Sequence, residues 1–149
     1  MRFVAMSEDQ AKWIAYQWKY EGAYSFFHDA QGKDVQSFLE VGKKGTRQFA
    51  IYEEEHIIGF LGAKKKPDHA IEIAPGMKPE LKGQGRGKDF VQACVAFLKK
   101  EMEAERVMIS ISNENNHALH VFEEAGFVRV ADDAEKGDEI SLELTVYGR

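Results

Sequence analysis

The chain has 149 residues, a formal net charge of −5, 44% hydrophobic and 30% charged residues, the make-up of one globular domain spanning 1–149 with a sizeable core. The acidic balance excludes a nonspecific nucleic-acid binder, which needs a basic face, and no run of about 18 apolar residues is present to span a membrane. Met1–Met6 meets Ser7-Glu8-Asp9 too soon for a secretion signal, and the single Cys94 cannot close an internal disulfide, so a reducing cytoplasm is expected.

Arg2–Met6 reads as a first strand. Ser7 with Gln10 three residues on forms a capping-box pattern, predicting a helix to about Tyr20 whose Ala11, Ile14, Ala15 and Trp18 share one face. Trp13, Tyr16 and Tyr20 form a second stripe and, with Trp18, Tyr24, Phe26 and Phe27, an aromatic cluster. Buried, such a cluster is core; exposed, it walls a small-molecule pocket or a homodimer contact. A short helix is expected around Asp34–Leu39. Strands follow at Gln48–Glu53, His56–Ala63 and Ala70–Met77, the first two joined at Glu53-Glu54-Glu55, with Lys64-Lys65-Lys66 as a solvated hairpin end. In Ala70–Met77, alternation puts Ile71 and Ile73 on one face and Glu72 and Ala74 on the other. Pro75-Gly76 is expected to interrupt the ladder, where a ligand inserts between splayed strands.

The turn Lys82-Gly83-Gln84-Gly85-Arg86-Gly87-Lys88 then precedes the apolar helix Asp89–Met102. Glycines at alternate positions let bare backbone approach a ligand, and a helix starting there presents unpaired N–H groups and the positive end of its dipole. With Lys82, Arg86 and Lys88 the turn reads as a phosphate cradle; the plain alternative is a strand-to-helix connection that binds nothing. The mononucleotide P-loop fails because Gly87-Lys88 is followed by Asp89 rather than Ser or Thr. The dinucleotide fingerprint fails because its third glycine position holds Lys88 or Phe90. Cys94 shares a face with Phe90, Phe97 and Leu98 and reads as core. A strand over Glu105–Ser112, a helix from an Asn113 or Asn115 cap through Ala125 closed by Gly126, and a hairpin of Phe127–Ala131 and Glu139–Tyr147 complete the chain.

The stretch Pro79–Gly87 resembles the coenzyme A pyrophosphate loop of the GCN5-related N-acetyltransferases, Gln/Arg, two free positions, Gly, one free position, Gly/Ala, with Lys82 in the Gln/Arg place. Asn115, Ala118, Gly126 and Phe127 resemble that family's second motif, in which Phe122 stands where members commonly carry tyrosine. The resemblance implies an α/β (α+β) fold, a mixed, mostly antiparallel central sheet flanked by helices, with splayed strands at the cofactor site. It implies acetyl-CoA as cosubstrate without a metal, bound by Met77, Lys82, Gly83, Gln84, Gly85, Arg86, Gly87, Lys88, Asn115 and Phe122. The activity implied is acetyl transfer to a small-molecule or peptidyl amine in a ternary complex. Glu72 is the base suggested, and the Met77 N–H the oxyanion donor. Phenylalanine cannot protonate the departing thiolate as the family's tyrosine does, so a catalytically weak acyl-CoA-binding or sensing module is the alternative. His117 and His120 are read as surface residues, and the acidic segment 132–139 favours cationic acceptors.

Overall fold

The computed structural model of the chain describes residues 1–17, 46–78, 85–130 and 139–146. In chain order these form β1 (Arg2–Ala5), α1 (Glu8–Gln17), β2 (Thr46–Glu53), β3 (His56–Lys66), β4 (Ala70–Met77), α2 (Gly87–Met102), β5 (Arg106–Ser112), α3 (Asn116–Glu124), β6 (Val128–Arg129) and β7 (Glu139–Thr145). The capping box closes as expected: the Gln10 N–H donates to Ser7 Oγ at 3.1 Å and the Ser7 N–H to Gln10 Oε1 at 2.9 Å. Ala11 and Ile14 of α1 are buried against Met6, Ala50 and Phe60. The expected continuation of this helix to Tyr20, the aromatics from Trp18 to Phe27 and the short helix at Asp34–Leu39 lie outside the described residues.

Seven strands form one sheet in the order β1-β2-β3-β4-β5-β7-β6. Only β4 and β5 run parallel, a join that needs a crossover, and α2 supplies it. The expected mixed, mostly antiparallel sheet is therefore the one observed. Period-two alternation gives it two faces. Leu61, Ile71, Ile73, Val107, Ile109 and Leu142 build the main core with Phe90, Val91, Cys94 and Leu98 of α2 and Leu119 and Phe122 of α3. Burial of Cys94 pushes its thiol pKa up, so it sits as a small apolar side chain rather than a nucleophile. The opposite face carries α1 over β1–β3. Beyond α1 this face continues through the paired positions Gln48 and Gly62, Gly62 and Ala74, Glu72 and Met108, and Ser110 and Ser141.

Strand β3 is longer than expected, reaching Lys66, because Asp68 and His69 adopt left-handed backbone (φ 62° and 59°) and turn the chain within three residues. Pro75 does not interrupt the ladder with β3: pairing is continuous from Lys66 and Ala70 to Gly59 and Met77. The reason is directional. Lys78 donates its N–H to Ile58 O on β3 at 2.8 Å, so by alternation Ile71, Ile73, Pro75 and Met77 face β5. The donor that proline lacks thus belongs to the β5 side, where pairing ends at Glu72 with Met108.

Candidate active site

Two strands that part and a helix that starts beside them make the site. β4 continues through Met77 and β5 through Ser112, yet the two pair only over Ala70–Glu72 and Arg106–Met108. Past that point the Met77 N–H lies on the β4 edge turned toward the gap. Gly76, next to it, is bare because the Phe60 ring covers it: an added Cβ would fall 2.1 Å from Phe60 Cζ.

The helix start fits a pyrophosphate group. Arg86 stands at the N-cap of α2 without a side-chain capping hydrogen bond, so among the described residues no side chain caps the first turn of Gly87, Lys88 and Asp89. Gly85 takes a φ of +74°, and a Cβ built there meets nothing within 4 Å, so the turn is open on the side its backbone presents. Gly87 has a different reason to be glycine. A Cβ there would sit 3.0 and 3.1 Å from the two methyls of Val121, so its bareness lets α3 pack against the first turn of α2. Gly87→Ala is therefore expected to lower stability by about 1–3 kcal/mol through overpacking, read as a fall in unfolding temperature, while the φ at Gly85 stays as it is; an unchanged unfolding temperature would show that α3 yields freely.

Arg86 has a partner that its place in the glycine turn does not reveal. Its Nη2 donates to both carboxylate oxygens of Glu53 at 2.8 and 2.7 Å, tying the start of α2 to the end of β2. Lys88 is exposed at the turn. Lys82, Gly83 and Gln84 lie outside the described residues.

Asn115 is 5% exposed, and its Oδ1 accepts the Ala118 N–H at 3.1 Å, so its side-chain oxygen works as the N-cap of α3. Phe122 is 2% exposed, with its ring edge-on to Phe127 at 5.1 Å, one residue after the Val121 that touches Gly87. Glycine turn and second motif thus meet where Val121 packs on Gly87. Glu72 is not brought to the turn: it sits in the paired half of β4, five residues or about 16 Å along the strand from Met77, and its carboxylate lies 3.4 Å from Lys66 Nζ. His120 is exposed and 3.4 Å from Glu124, as a surface histidine should be. Sequence reasoning missed Glu53, since nothing local marks a residue whose partner is a distant arginine.

A strand pair that opens beside an uncapped, glycine-led helix start is the arrangement the two motifs imply. The profile of the acetyltransferase (GNAT) family matches residues 7–127. The chain belongs to the GNAT family. Membership makes it an N-acetyltransferase, as the resemblance implied. No curated protein matches the chain in sequence. Among solved structures it is similar to a chimera of spermidine N-acetyltransferase SpeG from Vibrio cholerae and hSSAT, at 16% identity over 97% of this chain and 94% of that one, with a TM-score of 0.77. It is also similar to Vibrio cholerae spermidine N-acetyltransferase in complex with CoA and spermine, at 15% identity over 97% and 94%, with a TM-score of 0.71. A third likeness is to the N-acetyltransferase PseH from Campylobacter jejuni in complex with acetyl coenzyme A, at 18% identity over 76% and 79%, with a TM-score of 0.63. At these identities the likeness to each GNAT structure is one of fold. No helix among the described residues is long and apolar enough to cross a membrane.

Proposed function

We propose that this GNAT chain binds acetyl-CoA at the start of α2 and passes its acetyl group directly to a primary amine held in the same complex. The observation that carries this reading is the combination of an uncapped α2 start, an open Gly85 backbone and the parting of β4 from β5 at Glu72. Bound there, the thioester supplies an activated acyl carbon. The first-turn N–H groups of α2, with Lys88, would hold the pyrophosphate. The Met77 N–H, directed into the gap, is the donor for the carbonyl oxygen as it gains charge. An acyl-enzyme on Cys94 is disfavoured by its burial, which supports direct attack. Initial rates measured while varying acetyl-CoA and amine together are expected to give intersecting double-reciprocal lines; parallel lines would contradict direct transfer.

The attacking amine must be neutral, and a free aliphatic ammonium has a pKa of about 10. Glu72 is the proton acceptor we propose, acting through intervening water because it stands back from Met77. Glu72→Gln is expected to lower kcat/KM about 10²-fold at neutral pH and progressively less as the pH nears that of the free amine. An unchanged pH–rate profile would leave Glu72 only its ion pair with Lys66. A cationic acceptor is the class favoured by the acidic segment 132–139, of which 132–138 lie outside the described residues, and spermidine N-acetyltransferases share the fold. A weak transferase that mainly senses acyl-CoA is the second reading, favoured by Phe122, which brings no hydroxyl to the departing thiolate.

A further inference from the structure

Glu72 stands too far from Met77 to take a proton from the amine in one hydrogen bond, and β5 places a hydroxyl between the two levels. The last pair of β4 with β5 is Glu72 with Met108. Two residues on, Ala74 of β4 and Ser110 of β5 stand on either side of the opening gap, and by alternation both lie on the sheet face that carries Glu72. The other face of the gap is closed by Ile73 and Ile109, which are buried with α2 and α3. An amine or a water therefore meets the gap on the Glu72 face, where Ala74 is exposed and Ser110 half-buried. Ser110 lies about 7 Å along the strands from the Glu72 rung, on the way to Met77. Its Oγ is 3.4 Å from the Oγ of Ser141, the residue opposite it on β7, and either can donate. Two such hydroxyls carry two protons and share one, so an O–H and further lone pairs are left for water. Ser112, the next residue on this face of β5, is used differently: its Oγ accepts the Glu114 N–H at 3.2 Å in the turn before α3.

We infer that Ser110 relays the proton leaving the acceptor amine toward Glu72, an assignment that rests on the transferase reading and on Glu72 as proton acceptor. The ammonium N–H gives its proton to a water. The Ser110 hydroxyl accepts a proton from that water while releasing its own, and a second water delivers the released proton to the Glu72 carboxylate. The nitrogen keeps its lone pair for the acyl carbon, Ser110 ends as the neutral hydroxyl it began as, and Glu72 later loses the proton to solvent. A hydroxyl suits this place because it donates and accepts at once, which Ala74 across the gap cannot do. The charged groups around the end of the path are Lys64 and Lys66 on β3, the latter 3.4 Å from Glu72, and the Arg106–Glu143 pair on the far side of Met108. Ser110 is neutral, so removing its hydroxyl leaves those charges in place and alters the path alone.

The test compares the full-length wild type with Ser110→Ala, Ser110→Thr, Glu72→Gln and the double variant Ser110→Ala/Glu72→Gln, using acetyl-CoA with n-propylamine and with spermidine as probes. Ser110→Ala is expected to keep its stabilisation by acetyl-CoA yet to lose about tenfold in kcat/KM at neutral pH, less than Glu72→Gln because an extra water bridges part of the break. That loss is expected to shrink as the pH nears the amine pKa, as it does in Glu72→Gln. Ser110→Thr, which keeps a hydroxyl, is expected to recover most of it. Because the two residues serve one path, the double variant is expected to be no slower than Glu72→Gln alone. Losses that multiply in the double variant, a Ser110→Ala loss that is the same at every pH, or a wild-type rate in Ser110→Ala would each overturn the assignment. Lost stabilisation by acetyl-CoA in Ser110→Ala would overturn it too, by giving the hydroxyl to the cofactor. A wild-type rate in Glu72→Gln would remove the end of the path. If the wild type releases no CoA with either amine, the transferase reading fails and this assignment falls with it.

Discussion

Gly85→Glu is expected to abolish stabilisation by acetyl-CoA while leaving the chain folded. Wild type with acetyl-CoA at about a hundred times its dissociation constant should gain roughly 2.7 kcal/mol, raising the unfolding temperature by about 5–10 °C for a chain of this size. A Cβ at Gly85 meets no atom of the described residues within 4 Å, and its intrinsic penalty is the left-handed backbone at φ +74°, about 1–2 kcal/mol. The substitution plants a carboxylate beside the helix start proposed to hold pyrophosphate. Like charges about 4 Å apart at an effective dielectric of 20 repel by about 4 kcal/mol, enough to erase binding at these concentrations. Gly85→Ala carries the same backbone penalty without the charge and should retain a shift. If Gly85→Glu is stabilised as much as wild type, the cofactor does not lie on this turn.

Phe122→Tyr is expected to raise kcat by about one to two orders of magnitude, the usual worth of a positioned general acid, with acetyl-CoA affinity little changed. The ring belongs to α3 beside Val121, whose methyls pack on Gly87 at the start of α2, the helix proposed to hold the cofactor. Since Phe122 is 2% exposed, the added hydroxyl should lower stability by about 1–3 kcal/mol without ligand. Phe122→Ala separates the two roles of the position. It removes a core ring stacked edge-on with Phe127 and should cost about 3–5 kcal/mol. A Phe122→Tyr enzyme no faster than wild type would mean that the thiolate takes its proton elsewhere and that Phe122 serves packing alone.

Local signals in the sequence set much of this fold. Ser7 and Gln10, the bounds of β4, the Asn115 cap and the left-handed Gly126 are written in residues a few positions apart, and they fold as read. Helix α2 was legible because Phe90, Val91, Cys94, Leu98 and Met102 recur at helical spacing, and these are the residues it buries. What the sequence hid depends on partners far along the chain. Gly76 is bare because of the Phe60 ring, Gly59 because of Phe90 and Gly87 because of Val121, so three glycines serve packing against partners far along the chain. Arg86 reads from the sequence as a phosphate ligand, and nothing local shows that Glu53, 33 residues earlier, pairs with its guanidinium. Pro75 looks like a break in a strand, and only the direction of the Lys78 N–H shows that its missing donor falls on the side where β4 has already left β5. Ser110 gave no sign at all, because its place at the gap follows from where β4 leaves β5 and its hydroxyl partner, Ser141, is 31 residues on.

The most direct measurement is CoA release by the wild type from acetyl-CoA, followed with a free-thiol reagent across a panel of primary amines that includes cationic ones. Release matched mole for mole by acetylated amine, and rising with pH toward the amine pKa, is the expected result. Acetyl-CoA that binds and stabilises the chain, yet yields no CoA above the no-amine background with any amine, would contradict acetyl transfer and leave a binding module.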